Sequence, residues 1–412
     1  MSATLDLSVI VPSCNRSAAL AHLMRAIEAQ TLPPQRYEVI VVLDGSTDDS
    51  SAQLRAWAQA HPVHTLRVVE QPNRGQSAAR THGVSVAQSP LLLFLDDDIV
   101  PGPNCLAAHI HRHEQSDESQ PLVLLGDARV PTRQGESYYD MLTRMWWDDV
   151  YDQRTRRHPH VLYHDLISNH VSMPRDLFDA AGGFAADFAG YGREDYDLGH
   201  RLLKLGARFA LEPAAEAVHR HRGHPRQVLR NMQDEGRNDV RLGQRHPELR
   251  RGLRCARPGF GVRLIFAWPQ LFAPLLRIGP PALRVCEALG LWFVWRRLLG
   301  KLRYVAYWRG VRRAFTGWGA YRQFLDSAPP PRTADVDITE GLPRDLSELR
   351  LCSIDAVRVK DRGRTRTTIR VDELHDGPLA HALADRIAAD LATLPMADQA
   401  ARHAPRSQAH GS

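Results

Sequence analysis

Leu91-Leu92-Leu93-Phe94-Leu95-Asp96-Asp97-Asp98 is the stretch on which the reading of this chain turns. Five apolar residues run straight into three carboxylates, with Ser89-Pro90 in front of them. A continuous apolar run of that length predicts a strand covered on both faces, as in parallel sheets. Three adjacent carboxylates repel one another, so they must reach water or a cation. In open α/β sheets, ligands bind just outside the carboxyl ends of the strands. The strand is therefore expected to deliver an acidic cluster to a ligand crevice. Oxygen donors suit a hard divalent ion such as Mg²⁺ or Mn²⁺, and such ions share their shell with substrate phosphates. A solvated acidic turn closing a core strand has the same local sequence, so spacing alone leaves both readings open.

Upstream, short β-rich runs alternate with helical spacing. Strands are expected at Leu7 to Val11, Tyr37 to Leu43 and Thr65 to Val69. Helices are expected from Ser17 to Gln30, with Asn15 or Ser17 as N-cap, from the Gly45-Ser46-Thr47-Asp48 turn to about Ala60, and from Gly75 to about Ala87. This alternation predicts an α/β fold with a mostly parallel sheet and right-handed crossovers. Downstream, Val123 to Val130 and Leu166 to Met173 read as strands, and Arg208 to Leu211 as a final one. Tyr138 to Tyr151, Arg175 to Ala181 and Glu194 to Leu205 read as helices.

The chain has 412 residues, 43% hydrophobic and 24% charged, with a formal charge of +6. That composition can fill a core, and its sign suits anionic partners. Five scattered cysteines without metal-type spacing point to a reducing compartment. No charged leader with an apolar run precedes the first strand, so no signal peptide is expected. Nucleic-acid binding rests on charge alone and is discounted. No GxGxxG follows the first strand, which argues against a dinucleotide-dependent oxidoreductase.

Single motifs here are weak, but their order is informative. Val9-Ile10-Val11-Pro12-Ser13-Cys14-Asn15-Arg16 is followed by Val42-Leu43-Asp44-Gly45-Ser46-Thr47-Asp48, Asn73-Arg74-Gly75, Asp96-Asp97-Asp98, Gly182-Gly183-Phe184, Glu194-Asp195 and His219. In that order, residues 7 to 225 resemble the family 2 glycosyltransferases of the GT-A fold. The resemblance implies an inverting, non-processive, metal-dependent transfer of one sugar from a nucleotide-sugar donor to a glycan or lipid-linked acceptor. Pro12, Cys14, Asp44 and Arg74 would surround the nucleotide, with Asp96 and Asp97 also on the donor. Asp98, Asp96 and His219 would hold Mg²⁺ or Mn²⁺, with His221 a close competitor of His219. Asp195 would be the catalytic base. Trp146, Trp147, Gly183 and Glu194 would lie on the acceptor side. The chain departs from the family pattern at Leu43, where relatives often carry an acid, and at Cys14, often aromatic. The Gln-x-x-Arg-Trp of processive synthases is absent. Each residue also has a plainer reading: Asp44 and Asp48 as turn or cap residues, Arg74 as a surface charge, Glu194 and Asp195 as acids favouring a helix dipole.

The expected organisation is a catalytic domain over 1–225, a basic, Trp-rich helical segment over 226–328, and a Pro linker, small αβ unit and disordered tail over 329–412. Between Arg250 and Leu325 the only acid is Glu287, and five of the eight tryptophans fall there. Its apolar runs are too short to span a bilayer. Arg296, Arg297, Arg312 and Arg313 with Trp292, Trp295 and Trp308 fit an in-plane helix on an anionic membrane. A helical pair packed on the catalytic domain fits equally. The first reading places the protein in the cytoplasm, peripheral on the inner face of the membrane, in cell-envelope or polysaccharide synthesis. The contrasting class is an inactive GT-A-fold scaffold recruited to the membrane.

Overall fold

In the computed structural model the run Leu91–Leu95 is a strand with every residue buried. The structure describes residues 5–116, 120–157, 163–188, 190–221, 223–330, 333–337, 356–361 and 363–370, with Leu383 and Ile387. The first half alternates β1 (Leu7–Ser13), α1 (Ser17–Glu28), β2 (Tyr37–Asp44), α2 (Ser50–Ala60), β3 (Thr65–Gln71), α3 (Gln76–Val86) and β4 (Leu91–Leu95). Then come β5 (Ile99–Pro101), α4 (Cys105–Glu114), β6 (Leu122–Arg129), α5 (Tyr138–Arg157), β7 (His170–Pro174), α6 (Arg175–Ala180), α7 (Glu194–Lys204) and β8 (Arg208–His219). Helices α8 (Pro225–Arg245), α9 (Val262–Ala267), α10 (Ala273–Ala288), α11 (Trp292–Arg313) and α12 (Trp318–Asp326) follow.

The large sheet has the order β3-β2-β1-β4-β7-β6-β8-β5. Its first four strands are parallel, as expected from the βα alternation. Beyond β4 the sheet is mixed. β7 is antiparallel to both β4 and β6, β8 is parallel to β6, and β5 is antiparallel to β8. The chain winds outward from β1 through β2 and β3, then returns to place β4 on the other side of β1. A crevice opens at such a reversal, at the carboxyl ends of the strands. Asp96, Asp97 and Asp98 start there.

Strand pleating explains the two apolar layers. Leu7, Val9 and Val11 face Leu20, Leu23 and Ile27 of α1, while Ile10, Ile40 and Val42 face Ala79 and Val84 of α3. Each fully buried Leu, Ile or Val of this kind contributes about 1.5–3 kcal/mol. A Cβ on Gly83 would lie 2.5 Å from Ile10 Cγ2, so only glycine lets α3 settle this closely on β1. That approach carries Arg80, one turn earlier, to the end of β4.

Several boundaries differ from the sequence reading. α5 continues to Arg157. The strand expected from Leu166 begins only at His170, after a 3-10 turn at Tyr163–Asp165. The strand expected to stop at Leu211 runs on to His219. Neither Asn15 nor Ser17 caps α1. The cap residue is Arg16, and the Asn15 side chain accepts from the Thr47 and Asp48 amides instead.

Met1–Pro329 forms one compact unit, and the basic segment lies inside it. Trp295 and Trp308 are 0% and 1% exposed, packed in the helical core, so neither is available to a membrane. Arg312 donates to the carbonyls of Phe266 and Phe315, a packing role rather than a surface one. Pro330–Ser412 is a second unit. In it β9 (Thr333–Asp337), β10 (Ala356–Asp361) and β11 (Arg364–Arg370) form a three-stranded sheet, β10 central. The helix expected from Gly377 to Leu394 and the tail expected from Met396 lie outside the described residues.

Candidate active site

The three carboxylates after β4 have three different fates. Asp97 turns inward, where Ser13 Oγ donates to it at 2.7 Å, and burial pushes it up to about 7. It braces β1 against β4. Asp96 and Asp98 turn into a cleft of about 320 Å³ that Arg80, Glu194, Asp195 and His219 also line.

Arg80 is the group that organises this cleft. It is 2% exposed, with Nη2 2.7 Å from Asp96 Oδ1 and Nη1 3.7 Å from Glu194 Oε1. Burial raises the Asp96 and Asp195 carboxyls, with Arg80 pulling both the other way. Burial and the neighbouring Asp195 push Glu194 up to about 7. The pair opens α7, where its charges also favour the helix dipole. Arg193 precedes it at φ +83°, a costly conformation for a residue with a side chain. A buried pair with Asp239 at 2.5 Å and the Tyr196 ring hold Arg193 there.

The metal expected at Asp98 is tested by the donors around it. Ile99 pairs with His219 across β5 and β8, which carries His219 Nε2 to 3.5 Å from Asp98 Oδ1. His221 comes with it: ligand atoms of Asp98, His219 and His221 lie within 4.8 Å of one another. His219 Nδ1 and His221 Nε2 are buried without a hydrogen-bond partner among the described residues. Burial holds His221 down at about 4, in the neutral form that ligates. Burial would raise Asp98, but His219 and Arg16 overcome it and hold it below the usual range. One carboxylate with two imidazoles fits a divalent transition ion. Asp96, the other expected ligand, is engaged by Arg80 instead.

Pro12, Cys14, Asp44 and Arg74, expected around the nucleotide, gather at the ends of β1, β2 and β3 and are not among the residues lining the cleft. Asp44 receives the Arg74 and Gly75 amides at 2.7 and 2.8 Å and Gln71 Nε2 at 2.8 Å. Asn73 Nδ2 donates to the Asp44 carbonyl at 3.0 Å and lies 3.5 Å from Cys14 Sγ. Asp44 thus fixes the 71–75 turn and sets Cys14 and Arg74 beside it. Pro12 is buried within β1.

A family model described as glycosyl transferase family 2 matches residues 8–182, the span that holds this turn and the acidic cluster. Residues 8–182 form a family 2 glycosyltransferase domain. A second model, described as an N-terminal domain of galactosyltransferase, matches 153–224. Validoxylamine A glucosyltransferase of Streptomyces hygroscopicus subsp. limoneus is 28% identical over 269 residues, covering 59% of this chain and 57% of that protein. Pre-mycofactocin glycosyltransferase of Mycobacterium tuberculosis is 26% identical over 247 residues, covering 59% of this chain and 48% of that one. The chain therefore spans about half the length of these relatives. A Pyrobaculum calidifontis mannosyltransferase solved with GDP-Man and Mn²⁺ overlays at a TM-score of 0.44, with 18% identity, covering 79% of this chain and 88% of that one.

In the glycosyltransferase domain and its extension, the acceptor-side expectations separate. Trp147 is buried edge-on to His219 at 4.9 Å, and Trp146, 50% exposed, packs on Trp147 at the cleft wall. Glu194 lines the cleft, paired with Arg80. Gly183 does not line it. It turns the chain at φ +64°, and its carbonyl accepts from Arg201 at 2.7 Å. Sequence reasoning missed Arg80, although an arginine among Ser77, Ala79, Gly83 and Val84 on the buried side of a helix was a readable signal. It also missed Tyr139 and Arg303, which close the cleft from α5 and α11 and carry no local signature.

Proposed function

We propose that the protein transfers a single sugar from a nucleotide-sugar donor to a glycan or lipid-linked acceptor by one displacement with inversion. One observation carries this reading. The Glu194-Asp195 pair and the Asp96/Asp98 acids line one cleft, tied together by Arg80. A donor cleaves at the anomeric carbon and releases a nucleoside diphosphate. Asp98, His219 and His221 would hold a divalent transition ion such as Mn²⁺, which when bound supplies charge neutralisation at the diphosphate. Arg80, fixed by Asp96, offsets part of the negative charge on that side of the cleft. Asp195 takes the proton of the attacking acceptor hydroxyl, and its burial keeps it basic enough for the task. Arg193 orients it through the start of α7. With Asp195 as the base and the acceptor hydroxyl attacking the anomeric carbon directly, configuration would invert.

The deciding experiment incubates the protein with a panel of nucleotide sugars and Mn²⁺ and follows released nucleoside diphosphate and product anomer by NMR. Turnover of one donor with an inverted product supports the reading. A retained anomer removes the single displacement, and no donor binding to any member removes the transferase reading. Among the described residues no helix is long and apolar enough to cross a membrane, so a lipid-linked acceptor would be met by peripheral contact.

A further inference from the structure

Seventeen large apolar side chains are exposed among the described residues, and eleven of them fall between Phe260 and Val294. Phe260 is fully exposed, and Trp268, Leu271, Ile278, Leu289 and Phe293 are each more than half exposed. α10 shows how they are presented. Pro274, Ile278, Pro281, Val285 and Ala288 are exposed at helical spacing, while Gly279, Pro280 and Leu283 are buried. The solvent-facing side of α10 is thus largely apolar, with Arg277 and Arg284 as its exposed charges. Apolar patches of this extent on a soluble face mark an interaction surface.

The rim identifies the partner. Arg263, Arg277, Arg284, Arg296, Arg297 and Lys301 are exposed around these side chains. Glu287, the only acid between Arg250 and Leu325, is turned inward to accept from the Tyr138 amide at 2.7 Å. Apolar side chains ringed by unopposed cations suit a surface with a hydrocarbon interior and anionic headgroups. A second copy would bring like charges together, which disfavours self-association. α10 has 16 residues and is about 24 Å long, short of the roughly 30 Å hydrocarbon core, so it is too short to span that core.

We propose that the face formed by residues 260–297 docks into the headgroup region of an anionic phospholipid bilayer and holds the transferase cleft at that surface. This rests on the reading of the cleft as a site for a lipid-linked acceptor. α11 links the two: Phe293 is on the docking face, and Arg303, ten residues on, lines the cleft. That separation is about 15 Å along the helix, a span that the headgroup of an acceptor anchored in the membrane would have to bridge to reach the cleft. The tryptophans divide accordingly. Trp268 enters the interface, while Trp295 stays inside the protein.

The full chain is sedimented with vesicles of phosphatidylglycerol and phosphatidylcholine, and with phosphatidylcholine alone, at low and high salt. Binding to the anionic vesicles and release by salt are expected. Vesicle affinity is expected to fall by roughly tenfold or more when Phe260, Trp268, Ile278 and Phe293 are replaced by Ser, and equally when Arg277, Arg296, Arg297 and Lys301 are replaced by Gln. Brominated lipid should quench tryptophan fluorescence, and Trp268→Phe should reduce that quenching. Mn²⁺-dependent nucleoside diphosphate binding is measured on the same samples and should match the parent, which also reports folding. Vesicle binding unchanged in both variants overturns the docking face. So does failure of the parent to bind vesicles, including a parent dimer broken by the Ser variant, which would assign the face to a second copy. Loss of diphosphate binding by the parent, with vesicle binding intact, instead overturns the transferase reading and leaves the docking face standing.

Discussion

Arg80 Nη2 lies 2.7 Å from Asp96 Oδ1, inside a helix-sheet interface where the arginine is 2% exposed. The contact ties α3 to the end of β4 and neutralises one of three neighbouring acids. It also leaves Asp98 as the carboxylate beside the imidazoles. Removing one member of a buried pair strands the other charge, at a cost of about 3–5 kcal/mol.

Arg80→Met should therefore lower stability by about 3–5 kcal/mol in urea unfolding at pH 7. Arg80→Met/Asp96→Asn should recover part of that loss, because the stranded carboxylate is gone. A double variant no more stable than the single one would show that the arginine acts through packing alone.

Asp195→Asn keeps the shape of the side chain but cannot accept a proton. Turnover is expected to fall by roughly 10²–10⁴ with donor affinity little changed. The parent's kcat should drop as pH falls, because protonation of the Glu194/Asp195 pair removes the base. Burial raises both carboxyls, so this acid limb should sit above the ordinary carboxylate range, with Glu194 pushed up to about 7. Glu194→Gln removes a neighbouring negative charge and should move the limb to lower pH.

His219→Ala and His221→Ala should each weaken Mn²⁺-dependent binding of a nucleoside diphosphate, and Asp98→Ala should reduce it to the level seen with chelator. Calorimetry with and without Mn²⁺ separates these effects from loss of fold. If His221→Ala bound like the parent, the ligand set would reduce to Asp98 and His219.

Acid stability should depend on a histidine cluster under α4. His109 Nε2 lies 3.0 Å from His170 Nε2, and Ser172 Oγ is 2.8 Å from both His109 Nδ1 and His113 Nε2. Burial holds His170 down at about 3, His113 at about 4 and His109 well below its ordinary value. With folded pKa values below the unfolded 6.5, the unfolded chain binds more protons in that window. The stabilisation is complete above about 6.5 and is lost as pH falls toward the folded values. Each ring contributes a slope on the order of 1.4 kcal/mol per pH unit. Asp97 and Glu194, raised to about 7, titrate with the opposite sign, so the test compares the parent with His170→Gln. The difference in their urea stabilities should shrink between pH 7 and 5. A difference independent of pH would show that His170 does not titrate on unfolding.

The sequence by itself determined the βα alternation, the burial of Leu91–Leu95 and the arrival of Asp96 and Asp98 at a strand end. Those properties follow from local periodicity and from the repulsion of adjacent charges, both visible in a short window. Tertiary structure decided which of the acids met which partner. Arg80 and Asp96 are brought together by the close seat of Gly83 on Ile10, and His219 reaches Asp98 through the register of β5 against β8. Neither contact has a local signature, because each depends on how separate elements pack. The basic segment makes the same point. Its arginines and tryptophans were legible, but α8 packing against α11 decided that Trp295 and Trp308 turn inward. Phe260, Trp268 and Phe293 were left outside, since a helix apolar on several sides takes its buried face from its neighbours.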